Sequence, residues 1–201
     1  ATATVSSVLP TRSGYDFLGW NTQADGLGSP YAAAATFAMP ANNVVLYAQW
    51  TLATYTVYYN ANGGTGVIAN QAGRYNSSLT LTAATPTRAG YTFAGWDTLA
   101  AGGGGSYASS AAFTIPASNT ILYAQWTPLV YTLTYDANTG TGAPASATGV
   151  TAAQNVTLSA TAPTRAGYYF IGWNTQLNGS GQSYAVSTTY VMPAANATLY
   201  A

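Results

Sequence analysis

The stretch Pro86-Thr87-Arg88-Ala89-Gly90-Tyr91-Thr92-Phe93-Ala94-Gly95-Trp96 determines how the chain is organised, because its pattern occurs three times. The other copies of Pro-Thr-Arg-x-Gly-Tyr-x-Phe-x-Gly-Trp run from Pro10 to Trp20 and from Pro163 to Trp173. The copies therefore begin at nearly equal intervals along the chain. Recurrence at a fixed period is typical of repeat architectures. The chain is predicted to consist of copies of one module.

A second set of markers keeps the same period. A second proline follows the first proline of each copy at a constant distance, and the strand-like Tyr55 to Asn60 returns one period later as Tyr131 to Asp136. We divide the chain into a partial first repeat (1–51), a complete second repeat (52–127) and a third repeat that lacks its last residues (128–201). Partial units at both ends lead us to expect a longer parent array.

The apolar residues inside a repeat have a period of two, which indicates β-strands. In residues 131–135, Tyr, Leu and Tyr alternate with two threonines. After Tyr91 and Phe93, Gly95 shifts this alternation by one residue, as a glycine bulge would. Only residues 66–78 and 142–155 leave room for a helical turn. We expect a mostly β module whose length, about 76 residues, equals the period of the repeat.

The composition excludes most catalytic chemistry. The charged residues are four arginines and four aspartates, and there is no lysine, glutamate, histidine or cysteine. The usual general bases, nucleophiles and transition-metal ligands are therefore missing. A net charge of zero disfavours nucleic acid as a binding partner. No apolar run in the sequence is long enough to span a bilayer. We expect no enzymatic activity, catalytic residue, cofactor or metal.

The repeated blocks resemble a known family. The Gly-Tyr-x-Phe-x-Gly-Trp block, the glycine-containing loop and Leu122-Tyr123-Ala124-Gln125-Trp126 are similar to the Listeria-Bacteroides repeat, also called the internalin B-type repeat. The resemblance implies a small α+β, β-grasp-like module, carried in tandem on secreted or surface-anchored bacterial proteins as a stalk or adhesive region. It implies no catalytic residues. The absence of lysine and glutamate departs from the family and argues against charge-based recognition of a partner.

Five tryptophans mark the repeats. Trp20, Trp96 and Trp173 end the main motif. Surface aromatics can stack on sugars, but a tryptophan repeated in every small module is more typical of a core anchor, which is the interpretation we favour. Trp50 and Trp126 close their units immediately before the next repeat begins, so we expect them to pack at the junctions between repeats.

Arg12, Arg88 and Arg165 are the only charged residues at an equivalent position in every repeat. An arginine can bind an anionic glycan, but its planar guanidinium also bonds backbone carbonyls and stacks on aromatic rings. A tyrosine follows three residues later in each case. We therefore favour a structural role for these arginines over the binding of a glycan.

The loops at 21–32, 97–108 and 174–185 are equal in length and rich in glycine. They lack the lysine and the strand-to-helix context of a phosphate-binding loop, so exposed hairpin loops with glycines at positive φ are expected. A ligand or neighbouring chain would be met at such loops. The candidate contact residues there are Tyr31, Tyr107 and Tyr184.

Two further motifs have simple explanations. The segment Asp136 to Gly140 is similar to the start of a calcium loop, but the equivalent Asn60 to Gly64 has no carboxylate, so a turn at a strand end explains both. Glycosylation sequons would matter only in a source that modifies asparagine. They lie at Asn76, Asn155, Asn178 and Asn196.

These observations lead to one expected function and two alternatives. We expect a non-catalytic structural, stalk or adhesive segment of a secreted, cell-surface or filament-forming extracellular protein, with neighbouring repeats, and other copies in a fibre or layer, as partners. The first alternative is a module that binds a glycan or host surface protein through exposed aromatics such as Tyr58 and Tyr169 and through the loops. The second is the spacer of an enzyme whose catalytic domain lies elsewhere.

Overall fold

The computed structural model describes residues 1–201 and contains strands but no helix. The mostly β prediction is confirmed. The first repeat has β1 (Thr2–Thr4), β2 (Tyr15–Asn21), β3 (Pro30–Tyr31), β4 (Thr36–Ala38) and β5 (Tyr47–Leu52). The second has β6 (Thr54–Asn60), β7 (Gln71–Arg74), β8 (Ser78–Thr80), β9 (Tyr91–Asp97), β10 (Ser106–Tyr107), β11 (Ala112–Thr114) and β12 (Thr120–Pro128). The third has β13 (Val130–Asp136), β14 (Ala147–Thr151), β15 (Asn155–Thr157), β16 (Trp173–Asn174), β17 (Ser183–Tyr184), β18 (Thr189–Val191) and β19 (Ala197–Tyr200).

The helical component implied by the family resemblance is absent. After β6 the chain turns at Asn62 and Gly63, whose φ angles are 47° and 83°, and left-handed residues cannot begin a right-handed helix. The segment then forms β7, which pairs antiparallel with β6 from Thr54↔Arg74 to Val57↔Gln71. The backbone groups of β7 are therefore used in a sheet ladder. Accordingly, the structure contains no candidate for a membrane-spanning helix.

The second and third repeats build their main sheets in the same order. The order is β10-β9-β12-β6-β7 in the second repeat and β17-β16-β19-β13-β14 in the third. At the centre, β12 runs parallel to β6, and β19 runs parallel to β13. The first repeat contains the three-stranded part β3-β2-β5. A two-stranded sheet accompanies each main sheet, formed by β1-β4, β11-β8 and β15-β18.

The glycine bulge predicted from the change of alternation is present in the first repeat. The register between β2 and β5 shifts between Phe17 and Gly19. The equivalent Gly95 and Gly172 have φ angles of 138° and 145°, and a Cβ on either would lie within 3 Å of a carbonyl oxygen across the hairpin. Glycine is required here by both conformation and close approach.

Chain contacts group the residues into two compact units. One comprises Ala1–Asn62, Val67–Thr85 and Gly95–Ala124, and the other comprises Gly63–Gly66, Pro86–Ala94 and Gln125–Ala201. The first unit contains the buried core of the second repeat, formed by Val57, Leu81, Trp96, Phe113, Ile115, Leu122 and Ala124. The second unit contains the core of the third repeat, formed by Leu133, Tyr135, Val150, Leu158, Trp173, Tyr190, Met192 and Leu199.

Candidate functional site

The tryptophan that ends the main motif lies inside the module in the second and third repeats. Trp96 and Trp173 are 0% exposed, and Trp20 is half-buried. Tyr59 packs on Trp96 and Tyr135 packs on Trp173, each with ring centroids 4.8 Å apart. Such pairs add to the large apolar area that an indole buries. Trp96 and Trp173 therefore present no face to a sugar ring.

The tryptophans of the closing strands lie against the phenylalanine of the main motif. Trp50 on β5 has its ring centroid 5.5 Å from that of Phe17, and Trp126 on β12 lies 5.9 Å from Phe93. Both tryptophans are half-buried. Each closing strand thus covers its repeat with an edge-to-face aromatic pair. A role of these residues in holding neighbouring repeats together stays a prediction.

A buried amide closes the loop after the first and third tryptophans. Nδ2 of Asn174 donates to the carbonyl oxygens of Gly179 and Gly181, both at 3.1 Å. Its Oδ1 accepts from the N–H groups of Gln176 and Gly181 at 2.8 and 3.0 Å. Asn21 makes equivalent contacts in the first repeat, through Nδ2 to two loop carbonyls and through Oδ1 to one N–H group. One side chain therefore binds several donors and acceptors of the loop backbone at a part-buried site.

In the second repeat this position is Asp97, whose side chain is 1% exposed. Its carboxylate accepts from the N–H groups of Leu99 and Gly104 at 2.8 and 3.1 Å, and from Oγ of Ser106 at 2.8 Å. The pKa of Asp97 lies below its ordinary value, chiefly because of the Leu99 hydrogen bond and next because of Ser106, while burial opposes the shift. The carboxylate replaces the acceptor function of asparagine but not its donor function.

The loop tyrosines pack on the strand that follows each loop. Tyr31 lies against Phe37, Tyr107 against Phe113 and Tyr184 against Tyr190, with centroid separations of 4.9, 5.1 and 5.2 Å. All three loop tyrosines are half-buried. Their rings thus support the loops from inside, and no continuous exposed aromatic patch forms from them.

The three equivalent arginines each stack on the tyrosine three residues later. Cζ of Arg12, Arg88 and Arg165 lies 3.9, 4.0 and 4.1 Å from the ring centroid of Tyr15, Tyr91 and Tyr168, respectively. This is the geometry of a cation–π contact. The ring covers one face of each guanidinium. This contact is consistent with a structural role for the three arginines, which stays a prediction.

The turns at 60–64 and 136–140 have the same geometry. The N–H of Asn62 donates to Oδ1 of Asn60, and the N–H of Asn138 donates to Oδ1 of Asp136, both at 2.8 Å. Asn138 also donates through Nδ2 to the carbonyl of Ala201 at 2.9 Å. The Asp136 carboxylate thus performs the turn function of an amide oxygen. Residues 1–201 contain no group of three acidic, histidine or cysteine side chains that could hold a metal ion.

Successive repeats are joined by backbone hydrogen bonds close to the first glycine of the main motif. At the first junction the N–H of Ala53 donates to the carbonyl of Gly14 at 3.0 Å. Within the second repeat, the N–H of Tyr75 donates to the carbonyl of Ala53 at 2.8 Å. At the second junction the N–H of Leu129 donates to the carbonyl of Gly90 at 2.8 Å. Ala53 and Leu129, which lie where one repeat passes into the next, are thus both hydrogen-bonded to the preceding repeat.

A family model for the Listeria-Bacteroides repeat domain matches residues 1–49, 55–125 and 131–201. The chain belongs to this family. The resemblance identified from the sequence is therefore confirmed, and its tandem arrangement covers nearly the whole chain. Each matched segment contains one tryptophan-centred motif together with the loop that follows it.

Three curated proteins are similar to this chain in sequence. A protein named "Putative membrane protein" from Evansella cellulosilytica is 34% identical over 96% of this chain and 28% of its own length. A "Putative Gly-rich membrane protein" from the same organism is 35% identical over 65% of the chain and 16% of its length. Internalin H of Listeria monocytogenes is 40% identical over 59% of the chain and 20% of its length. The chain thus spans less than a third of each relative, and no solved structure matches it.

Sequence reasoning missed the loop-closing residues of these Listeria-Bacteroides repeats. The signal is the asparagine or aspartate that directly follows each main-motif tryptophan, at Asn21, Asp97 and Asn174. The expectation of glycines at positive φ is confirmed at Gly26, Gly102, Gly103 and Gly179, whose φ angles lie between 73° and 86°. Gly104 and Gly181 are instead needed for close approach. A Cβ on either would lie 2.3 Å from a threonine Oγ1 and under 3 Å from the loop-closing side chain.

Replacing Asp97 by asparagine is expected to preserve the loop and to remove one source of acid sensitivity. The lowered pKa means that the carboxylate stabilises the folded state above the unfolded pKa of about 3.9, and that this stabilisation is lost as the pH falls through the folded value. The amide of the variant does not titrate in this range. Urea unfolding at pH 7, 4 and 3 should show a smaller loss of stability in acid for Asp97→Asn than for the unsubstituted chain. Asp25→Asn, in an exposed loop, is the control, and equal acid sensitivity of all three chains contradicts the prediction.

Replacing Arg88 by alanine is expected to lower the free energy of unfolding by about 0.5–1 kcal/mol, because the stack on Tyr91 is lost at a partly exposed site. Arg88→Lys should fall between alanine and the unsubstituted chain, since it keeps the charge without the planar face. Arg74→Ala removes an arginine that has no counterpart in the other repeats and serves as control. Thermal melting identical to that of the unsubstituted chain would refute the structural role.

Proposed function

We propose that this chain is a non-catalytic stalk or adhesive segment of a secreted, cell-surface or filament-forming bacterial protein. The observation that carries the proposal is the direct hydrogen bonding at the repeat junctions, such as Leu129 N–H to the carbonyl of Gly90. Force applied along the chain would pass from strand to strand rather than through a loose linker. The membership of a repeat family whose relatives include Internalin H and proteins named as membrane proteins supports this setting.

We further propose that each module is β-grasp-like in the order of its strands, without the helix. Support comes from the central parallel pair, β6 with β12 and β13 with β19, flanked by antiparallel strands. Parallel neighbours require a crossover connection. This arrangement makes the first strand and the closing half of a repeat interdependent, so the boundaries 52–127 and 128–201 are proposed as its folding units.

The low charge also supports association with other copies. The chain carries four positive and four negative side chains in 201 residues, so little repulsion would oppose lateral packing. Isolated apolar side chains such as Val67 and Leu27 are well exposed. Lateral assembly into fibres or layers predicts a mass several times that of the monomer in light scattering.

Surface labelling of the cells that make the protein tests the proposed location. An antibody raised against the 201-residue chain should label intact cells or shed material without permeabilisation. Mechanical unfolding tests the proposed role, because a complete repeat of about 76 residues should extend in one step by about 27 nm at most, less the distance that its ends span when folded. Labelling only after permeabilisation, or extension without discrete steps, would refute the proposal.

A glycan- or host-protein-binding module is the second candidate. It is favoured by the outward side chains of the third repeat, where Tyr169 and Ile171 are each 97% exposed. Exposed aromatic and aliphatic side chains on one surface mark contact sites in many proteins. Binding in a glycan or host-protein screen that is lost on Tyr169→Ser, with melting unchanged, would favour this candidate over a purely mechanical role.

A further inference from the structure

The second repeat begins and ends on neighbouring strands of one sheet. β6 is its first strand and β12 is its last, and the two lie side by side and parallel. Their register runs from Thr120↔Val57 to Tyr123↔Asn60. Because parallel strands start at the same end of a pair, the start of β6 and the end of β12 lie at opposite ends of this ladder.

The parallel direction of the pair determines how a pull on the chain loads it. A pull at the start of β6 and at the end of β12 draws the two strands past each other along their own axes. The hydrogen bonds of a parallel pair are evenly spaced along it, so they share this load and must break together. In the antiparallel pair β9–β10, by contrast, a pull on both strands from the open end would break one hydrogen bond after another.

Two asparagine side chains extend the ladder beyond its backbone pairs. At the end where β6 starts, the N–H of Thr56 donates to Oδ1 of Asn119, which directly precedes β12, at 2.8 Å. At the other end, Nδ2 of Asn62 donates to the carbonyl oxygen of Ala124 at 2.9 Å. Both hydrogen bonds join the chain at β6 to the chain at β12, so both oppose sliding of one strand past the other.

The third repeat has the same arrangement. β13 and β19 form its central parallel pair. The N–H of Thr132 donates to Oδ1 of Asn196 at 2.9 Å, and Nδ2 of Asn138 donates to the carbonyl oxygen of Ala201 at 2.9 Å. Asparagines at both ends therefore accompany the parallel pair in each of the two repeats, as expected if they serve the pair itself.

Apolar side chains lie on both faces of the ladder in the second repeat. Val57 and Leu122 belong to the core and are 1% and 0% exposed. On the opposite face Tyr58 and Ile121 are direct cross-strand partners. Hydrogen bonds are electrostatically stronger where water is kept away, so this cover should slow their rupture under load.

We propose that β6 and β12, together with Asn62 and Asn119, form a shear clamp that keeps the second repeat folded when the chain is pulled along its length. The chain contains no cysteine, so no disulfide bond shares this load. The inference rests on the proposed stalk function, because a stalk is pulled in this direction. It adds to that function the structural element that bears the force.

Force-clamp measurements in two pulling directions test the shear clamp. Because the chain has no cysteine, two introduced thiols give unique attachment points for DNA handles in the full 201-residue chain. Thr54→Cys with Thr127→Cys loads the strands in shear, whereas Thr54→Cys with Ser118→Cys pulls both strands from the same end and peels them apart. All three positions are exposed. At equal force we expect the second repeat to remain folded at least about tenfold longer in shear, a ratio that corresponds to roughly one additional hydrogen bond broken in the transition state.

Asn62→Gly distinguishes the shear clamp from general stability. Glycine retains the left-handed backbone of this position, whose φ is 47°, but removes the hydrogen bond to Ala124. That bond lies at the end of the ladder far from Ser118, so its loss should shorten the lifetime several-fold in shear and leave the lifetime in peeling unchanged. Asn138→Gly makes the same change in the third repeat, which carries no load in this experiment, and should alter neither lifetime.

The outcomes of these measurements separate the shear clamp from the proposed function. A longer lifetime in shear, shortened by Asn62→Gly in that direction alone, supports the shear clamp. Equal lifetimes in the two directions would overturn it, and this comparison needs only the attachment variants, even if Asn62→Gly fails to fold. Equal shortening of both lifetimes by Asn62→Gly would show that Asn62 stabilises the fold without bearing load and would remove it from the shear clamp. Surface labelling of cells is independent of all these results, so failure of the shear clamp and failure of the proposed location are distinguishable.

Discussion

Replacing Trp96 by alanine is expected to lower the free energy of unfolding by about 3–5 kcal/mol, the range for deleting a fully buried aromatic side chain. Trp96 is 0% exposed and packs edge-to-face on Tyr59, so the substitution removes both buried area and an aromatic pair. Urea unfolding followed by far-ultraviolet circular dichroism gives the change directly.

Trp126→Ala is the matched control for this prediction. It removes the same side chain from the same repeat, but Trp126 is half-buried on the closing strand and its Phe93 partner is also half-buried. We expect a loss of roughly half that for Trp96, because less apolar area leaves water in the native state. An equal decrease in the free energy of unfolding for the two variants would contradict the prediction that Trp96 contributes more to the core than Trp126.

The period and strand content of the fold can be predicted from sequence because they depend on local pattern. The fixed spacing of Pro86 to Trp96 and its copies defines the repeat, and the alternation in residues 131–135 defines a strand. The break in alternation at the glycine also predicts the bulge, since an extra residue shifts every later side chain to the other face. These signals require no knowledge of distant contacts.

The loop-closing role of Asn174 could not be derived in the same way. Its hydrogen bonds to the backbone of Gly179 and Gly181 depend on how the loop returns over the side chain, which alternation does not report. The same limit explains why the general expectation of positive φ holds for Gly102 and Gly103 but not for Gly104, where a side chain would collide with Thr98 and Asp97. Close approach is a property of the folded loop rather than of the residue.

The different burial of the main-motif tryptophans follows from which strands surround them. Trp96 and Trp173 each pack on a tyrosine from the first strand of their own repeat, Tyr59 on β6 and Tyr135 on β13. Residues 1–51 contain no equivalent of that strand, and Trp20 is half-buried. Equivalent sequence therefore gives equivalent burial only when the whole repeat is assembled.

Replacing Gly14 by alanine is expected to destabilise the first junction more than the same change at Gly167 destabilises the third repeat. Both glycines have φ near 80°, so both variants incur the left-handed penalty of roughly 1–2 kcal/mol. A Cβ on Gly14 would lie 2.2 Å from Cδ1 of Tyr75, whereas a Cβ on Gly167 would meet nothing within 4 Å. The steric clash should add about 1–3 kcal/mol at Gly14 alone.

The second junction indicates how this clash can be relieved. There Ala152 occupies the position equivalent to Tyr75, beside Gly90, so a junction can form with a small side chain at this point. Tyr75→Ala by itself should cost stability, because it removes the ring that packs on Tyr15 at 5.9 Å. In the double variant Gly14→Ala/Tyr75→Ala, however, the added methyl group meets no ring, and the combined loss should be smaller than the sum of the two single losses. Urea unfolding of the four chains of this cycle measures the coupling. Strict additivity would show that a clash with the Tyr75 ring does not cause the loss of stability in Gly14→Ala.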